Sequence, residues 1–156
     1  MIGRVPPLCR FRYPAARQSA MSSVLLIDDS KFLRRMTELA LARCGYEVFA
    51  ASDGEEGLRV AGDKVPDVVV LDILLPKISG LEVLQRLKQD PHTAKIPVIV
   101  MSSLPQRNEA RLKENGAVAY LEKTDLGLER GAVNLIKAIE AILSPGKAAP
   151  DRGTER

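Results

Sequence analysis

The stretch VVVLDILLP, Val68 to Pro76, decides how the chain is read. Three valines and a leucine run on without polar alternation, and their β-branching favours extended backbone. The run therefore reads as a strand covered on both faces, as the middle strands of parallel α/β sheets are. Asp72 then stands at the carboxyl end of that strand. In open α/β sheets the crevice beyond the carboxyl ends of the strands is where ligands bind. Taking a carboxylate partly out of water is unfavourable unless a cation or hydrogen-bond donors meet it, so the rest of the chain is expected to supply partners for Asp72. On this stretch alone the blander account, a turn-starting aspartate after a strand, is the simpler one.

At 156 residues, with 46% hydrophobic and 28% charged content, the chain is long enough to bury a full core without disulfides or a structural metal. Its longest apolar runs are of about five residues, against the roughly 20 that a membrane-spanning helix needs, so no membrane contact is expected. Cys9 and Cys44 form no C-x-x-C motif, which predicts reduced thiols in a cytoplasmic protein and no cysteine nucleophile. The formal charge of +3 is unevenly spread, because residues 1–20 hold four arginines and no acid. The remainder up to residue 144 is slightly acidic, which gives no electrostatic case for direct DNA binding.

Residues 1–20 contain three prolines and no helical or alternating period, as expected of a disordered basic extension. Their Arg-rich, acid-free character faintly resembles a transit peptide, but a start codon upstream of Met21 accounts for them more plainly. Residues 21–144 then form one domain, and residues 145–156 are a polar tail predicted to be disordered. From Val24 onward strand and helix signals alternate five times. Strands are predicted over Val24 to Ile27, Tyr46 to Ala50, Val68 to Leu71, Ile96 to Met101 and Val118 to Leu121. Helices are predicted from Ser30 to Arg43, with Phe32, Leu33, Met36, Leu39 and Ala40 at helical spacing, and from an Asp53 cap to about Ala61. A third runs from Gly80 to about Gln89 with Leu81, Val83, Leu84 and Leu87 inward, a fourth has Pro105 in its first turn, and a last one ends at Leu143. Such alternation with short connections implies right-handed crossovers and a doubly wound parallel sheet.

The strand ends carry the chemistry. The first strand runs into Asp28 and Asp29, the third into Asp72, the fourth into Ser102 and the fifth into Lys123. In a sheet ordered 2-1-3-4-5 these ends are neighbours, and at about 4.8 Å per strand gap Lys123 starts roughly 10 Å from Asp72, most of which a lysine stem spans. Three carboxylates crowded together repel one another. A hard divalent cation with oxygen ligands relieves that, and Mg²⁺ suits a site that handles carboxylate and phosphate. Singly, Asp29 is accounted for as a helix cap, Ser102 as a turn residue and Lys123 as a solvated charge. Their arrival on one edge is what argues for a site.

With LLIDDS, VVVLDILLPKISG, PVIVMSS and AYLEK in view, residues 23–143 resemble a response regulator receiver domain, the phosphoacceptor module of two-component signalling. The spacing of Asp72, Pro76 and Gly80 fits as well. The resemblance implies a flavodoxin-like five-stranded fold in the order 2-1-3-4-5. It implies that Asp72 accepts a phosphoryl group, that Asp29, Asp72 and the backbone carbonyl of Leu74 hold Mg²⁺ with Asp28 acting mostly through water, and that Lys123 pairs with the phosphate. Ser102 would move its hydroxyl onto a phosphate oxygen, and Tyr120 would change rotamer on the output face. Leu74 and Leu104 would flank the approach of the hydrolytic water. Thr124 departs from the family pattern, which usually has a cis proline after the lysine.

The only histidine, His92, lies in a polar loop, so the phosphodonor is expected on a partner, a histidine kinase or a phosphotransfer protein. The output is expected through contact with a downstream protein, as no room remains for a DNA-binding domain. Two other classes are weighed. An aspartate-based Mg²⁺-dependent phosphohydrolase would carry an Asp-x-Asp pair where Leu74 stands, and a phosphorylation-independent interaction module would lack the acceptor or a metal carboxylate.

Overall fold

The structure is a computed structural model in which residues 22–103, 109–123 and 128–143 are described. Five parallel strands, β1 (Ser23–Ile27), β2 (Glu47–Ala51), β3 (Val68–Asp72), β4 (Val98–Ser102) and β5 (Ala119–Glu122), form one sheet in the order β2-β1-β3-β4-β5. The helices are α1 (Lys31–Arg43), α2 (Gly54–Lys64), α3 (Gly80–Gln89), α4 (Glu109–Glu114) and α5 (Leu128–Leu143). This is the doubly wound, flavodoxin-like arrangement expected from the sequence. The basic extension, the polar tail, Leu104, Pro105 and Thr124 lie outside the described residues. No helix among the described residues is long and apolar enough to cross a membrane.

The unbroken apolar runs are explained by the two layers they fill. Alternate residues of a strand point to opposite faces of the sheet. Leu25, Ile27, Val69, Leu71, Val98 and Val100 accordingly meet Ala61, Val83, Leu84, Leu87 and Leu112 from α2, α3 and α4. Val24, Leu26, Val68, Val70, Ile99 and Met101 meet Leu41, Leu135, Ile136 and Ile139 from α1 and α5. Every residue of β3 and β4 is buried. Burying such side chains contributes roughly 1.5–3 kcal/mol each.

Helix starts follow their caps. Ser30, Asp53 and Ser79 each accept a bond from the amide three residues on, which satisfies one of the free first-turn donors. Glu56 turns back to accept from the Ser52 amide at 2.8 Å. That bond holds its carboxyl below the usual range.

Three expectations are corrected. β2, β4 and β5 each begin and end a residue or two later than predicted. The ladder reaches that far because Ile27 pairs with Ala51 and Ser102 with Glu122. Pro97 has no amide to donate, and its carbonyl accepts from Val69 just before β4 begins. α2 continues to Lys64 and stops where Val65 takes φ 44°. On α1 the stripe of Phe32, Met36 and Leu39 is exposed, Phe32 by 63%, while Leu41 packs on the sheet and Leu33 and Ala40 are half-buried. Helical spacing marks which residues share a face and leaves open which of them meets the sheet. A further correction concerns Cys44, which is buried at the end of α1 and disulfide-bonded, where reduced thiols were expected. The other cysteine, Cys9, lies outside the described residues.

β2 and β5 are the edge strands. On β2, Glu47 is exposed, and the Lys64 ammonium stands 5.6 Å from the centre of the Phe49 ring.

Val65 is β-branched, 51% exposed and in the left-handed region at the end of α2. Left-handed backbone is unfavourable by roughly 1–2 kcal/mol for such a residue, whereas asparagine tolerates it. Val65→Asn is therefore expected to stabilise the protein by about 1 kcal/mol, read as a higher midpoint in urea unfolding. An unchanged or lower midpoint would show that no strain is stored there.

Candidate functional site

The carboxyl ends of β1, β3 and β5 converge on four side chains. Asp72 is the last residue of β3, pairs with Met101 of β4 and is only 5% exposed. Its Oδ1 accepts from the Leu74 amide at 3.0 Å, and its Oδ2 from Lys123 Nζ at 2.8 Å. Lys123 directly follows β5, and the same ammonium lies 3.0 Å from Asp28 Oδ2. Its side chain is 12% exposed. Asp29 is exposed beside them, and one carboxylate oxygen from each of Asp28, Asp29 and Asp72 falls within 4.8 Å of the others.

Asp28 is held at every polar atom. Its amide donates to the Ala51 carbonyl at 3.1 Å and its carbonyl accepts from Arg34 Nη1 at 2.6 Å. Its Oδ1 accepts from the Ser30 amide at 2.9 Å, which leaves Oδ2 for Lys123. Arg34 belongs to α1, so that helix and the first strand are clasped at the site. Nothing in the sequence pattern marked Arg34, since an arginine in a helix reads first as a solvated charge.

The charges do not balance. Burial pushes the Asp72 carboxyl above its usual range, against the bonds from Lys123 and Leu74 that favour ionisation. Burial also works to depress Lys123, but its bonds to Asp72 and Asp28 outweigh that, and its pKa is raised. The two directions thus have different causes, burial for Asp72 and two carboxylate partners for Lys123. Hard, anionic oxygens at this spacing fit a divalent cation such as Mg²⁺, which takes carboxylate, carbonyl and water ligands.

The sequence-predicted residues sort themselves by place. Asp28, Asp29, Asp72 and Lys123 come together. Ser102 is buried at the last position of β4, one residue beyond the partner of Asp72. Tyr120 is half-buried within β5 and packs against the core beneath α3 and α4, so it stands back from the crevice. The Leu74 side chain is 50% exposed in the loop after β3. His92 faces solvent beside Asp90, 3.2 Å away, as a loop residue should.

That loop is tied down at both ends. The Ile73 amide donates to Met101 and its carbonyl accepts from Gly80, the first residue of α3. Midway, Lys77 adopts φ 69° and reaches the α2 cap, Asp53, at 3.0 Å. At Gly80 a Cβ would stand 2.4 Å from Ile73 Cα and 2.5 Å from the carbonyl oxygen of Asp72. The Asp72 to Gly80 spacing noted in the sequence is thus a steric requirement: α3 starts against the backbone of the aspartate itself.

Comparison with known proteins gives one answer. The family model described as "Response regulator receiver domain" matches residues 24–129. The DNA-binding dual master transcriptional regulator RpaA of Synechocystis is 38% identical over 104 residues, and the match covers 66% of this chain and 43% of that protein. The polar-differentiation response regulator DivK of Brucella anthropi is 33% identical over 102 residues, covering 65% of this chain and 83% of DivK. Several other relatives are likewise spanned over less than half their length. Among solved structures, the chemotaxis response regulator CheY4 of Vibrio cholerae superposes with a TM-score of 0.71 at 27% identity, covering 79% of this chain and 99% of that one. The response regulator domain of Thermotoga maritima CheB gives 0.72 at 28% identity, covering 80% and 98%.

Gly80→Ala is expected to destabilise the fold by about 1–3 kcal/mol, because the clash is with backbone that cannot rotate away. Chemical denaturation checks this, and a variant as stable as the wild type would mean that α3 is free to slide.

Proposed function

The chain belongs to the response regulator receiver family of two-component signalling systems, and on that premise we propose that it accepts a phosphoryl group on Asp72 and passes the signal on by protein contact. The observation that carries this reading is a buried strand-end carboxylate held by Lys123 within a cluster of two further aspartates. Phosphoryl transfer needs an in-line nucleophile and neutralised phosphoryl oxygens, and little else from the protein. Asp28, Asp29 and Asp72, with the Leu74 carbonyl, would hold Mg²⁺, and a bound Mg²⁺ supplies positive charge opposite the phosphoryl oxygens. An oxygen of Asp72 forms the new bond to phosphorus as the bond from phosphorus to the donor's imidazole nitrogen breaks, and the freed imidazole takes up a proton. His92 is an exposed loop residue, so the donor is a histidine on a kinase or phosphotransfer protein.

The product adds roughly −1.5 to −2 charges to the crevice. Lys123 then pairs with the phosphoryl oxygens, and Ser102, buried at the end of β4, turns its hydroxyl to them. Movement there reaches Tyr120 through the β4–β5 ladder, in which Val100 pairs with Tyr120. We place the receiver in the cytoplasm, in keeping with the family to which it belongs. A phosphohydrolase is disfavoured by Leu74, whose side chain holds no proton to exchange. A phosphorylation-independent module is disfavoured by the intact set of carboxylates and lysine.

Incubation with acetyl phosphate and Mg²⁺ is expected to add one hydroxylamine-labile phosphoryl group, seen by intact-mass spectrometry, and Asp72→Asn is expected to abolish it. Equal labelling of the Asn variant would remove Asp72 from this role. The lifetime of that group should be long, since the exposed Leu74 side chain cannot orient a hydrolytic water. Losing or gaining such an orienting group changes rates by roughly ten- to thousandfold. Leu74→Asn is expected to release phosphate about tenfold faster once the donor is removed. A rate matching the wild type would show that this side chain does not govern the lifetime.

A further inference from the structure

Resting on the Mg²⁺ reading of the site, we propose that Arg34 is its positioning residue: by holding the peptide between Asp28 and Asp29, it aims the exposed Asp29 carboxylate at the cation. Asp28 and Asp72 are buried, and their carboxylates are met by Lys123 and by the amides of Ser30 and Leu74. Asp29 is exposed, so its direction is set by the backbone that carries it. A peptide unit is planar, and fixing its carbonyl fixes the bond to the next α-carbon. Arg34 Nη1 donates to the Asp28 carbonyl at 2.6 Å, in the unit that ends at Asp29. On the other side, the Ser30 amide donates to Asp28 Oδ1 at 2.9 Å. Asp29 is therefore held through both flanking peptides, the first by Arg34 and the second by Asp28.

The place of Arg34 on its helix supports this role. Its amide donates to the Ser30 carbonyl at 2.8 Å, so it stands one turn into α1, and helical side chains lean back toward the amino end. The positive end of a helix dipole favours acids, yet the first turn of α1 has none, and the charged residues that open it are Lys31, Arg34 and Arg35. A half-buried arginine there is unfavourable for the helix by itself. What it answers is the Asp28 carbonyl and the carboxylates beyond, through a charge-assisted bond of the stronger kind. Its charge and its hold act on Mg²⁺ in opposite directions. A nearby cation weakens Mg²⁺ binding by repulsion, whereas partners that orient a metal ligand strengthen it by roughly 10- to 100-fold. Here the hold outweighs the charge, so the sign of the change on substitution separates the two.

The test is Mg²⁺ titration of the full-length protein by calorimetry, with backbone amide NMR of the metal-free protein beside it. Arg34→Met, which keeps much of the stem and removes the donor, is expected to weaken Mg²⁺ binding about tenfold. In that variant without metal, the Asp29 amide is expected to shift and lose order, seen as a lower heteronuclear NOE, while the amides of β3 stay as in wild type. Arg34→Lys, still able to donate to the Asp28 carbonyl, is expected to bind within about threefold of wild type. Thermal melts establish that each variant is folded at the titration temperature, and Arg34→Leu replaces Arg34→Met if it is not. A purely structural arginine would lower the melting temperature and leave Mg²⁺ affinity unchanged. That outcome, tighter binding by Arg34→Met, or an unaltered Asp29 amide overturns the positioning role while leaving the metal site intact. Absence of Mg²⁺ binding in wild type overturns the metal reading, and this role with it.

Discussion

Everything at the carboxyl edge of the sheet follows from placing a carboxylate where water hardly reaches. Asp72 ends a strand buried along its whole length, and an isolated charge in that position would be neutralised by taking up a proton. Lys123 and the Leu74 amide meet both of its oxygens and favour the anion, against the burial that raises its pKa. The match is incomplete by design of the sequence: Asp28 and Asp29 bring two more negative charges and only one ammonium answers them. An electrostatic deficit of this kind suits the uptake of a divalent cation, whose charge offsets that of the carboxylates.

Holding that deficit in place requires rigid surroundings. The aspartates stand at strand ends, where the ladder fixes their backbone, and the helices that follow are capped and pressed close. Gly80 lets α3 begin against the carbonyl of Asp72. Arg34 reaches from α1 to the carbonyl of Asp28, and Lys77 ties the loop after β3 to the cap of α2. Each of these contacts joins a helix or loop to the end of a strand, so the geometry of the site is set by the same packing that forms the core.

Much of this was legible in the sequence, for reasons that can be named. The strands were readable because burial on both faces forces unbroken apolar runs, and the start of α2 because Asp53 is a good cap. Strand ends, once ordered, brought Asp28, Asp29, Asp72 and Lys123 to one edge, and the structure unites these four. What could not be read depends on angles and reach. Phe32, Met36 and Leu39 of α1 are exposed despite their helical spacing. Arg34 and Lys77 act over six residues and 24 residues respectively, through side chains whose type fits a solvated surface equally well. The single ammonium shared between Asp28 and Asp72 was likewise invisible, because a sequence shows that a lysine can arrive but not how many partners it will hold.

The open margins of the sheet carry a consequence of their own. A parallel sheet that does not close leaves an unpaired row of amides and carbonyls along each outer strand, ready to recruit a strand from another chain. In this protein both outer strands are short, five residues in β2 and four in β5, too brief to template a long intermolecular ladder. β2 begins with the exposed charge of Glu47, and its largest apolar side chain, Phe49, sits under the Lys64 ammonium. A short margin that opens on a charge offers little for a stray strand to pair with.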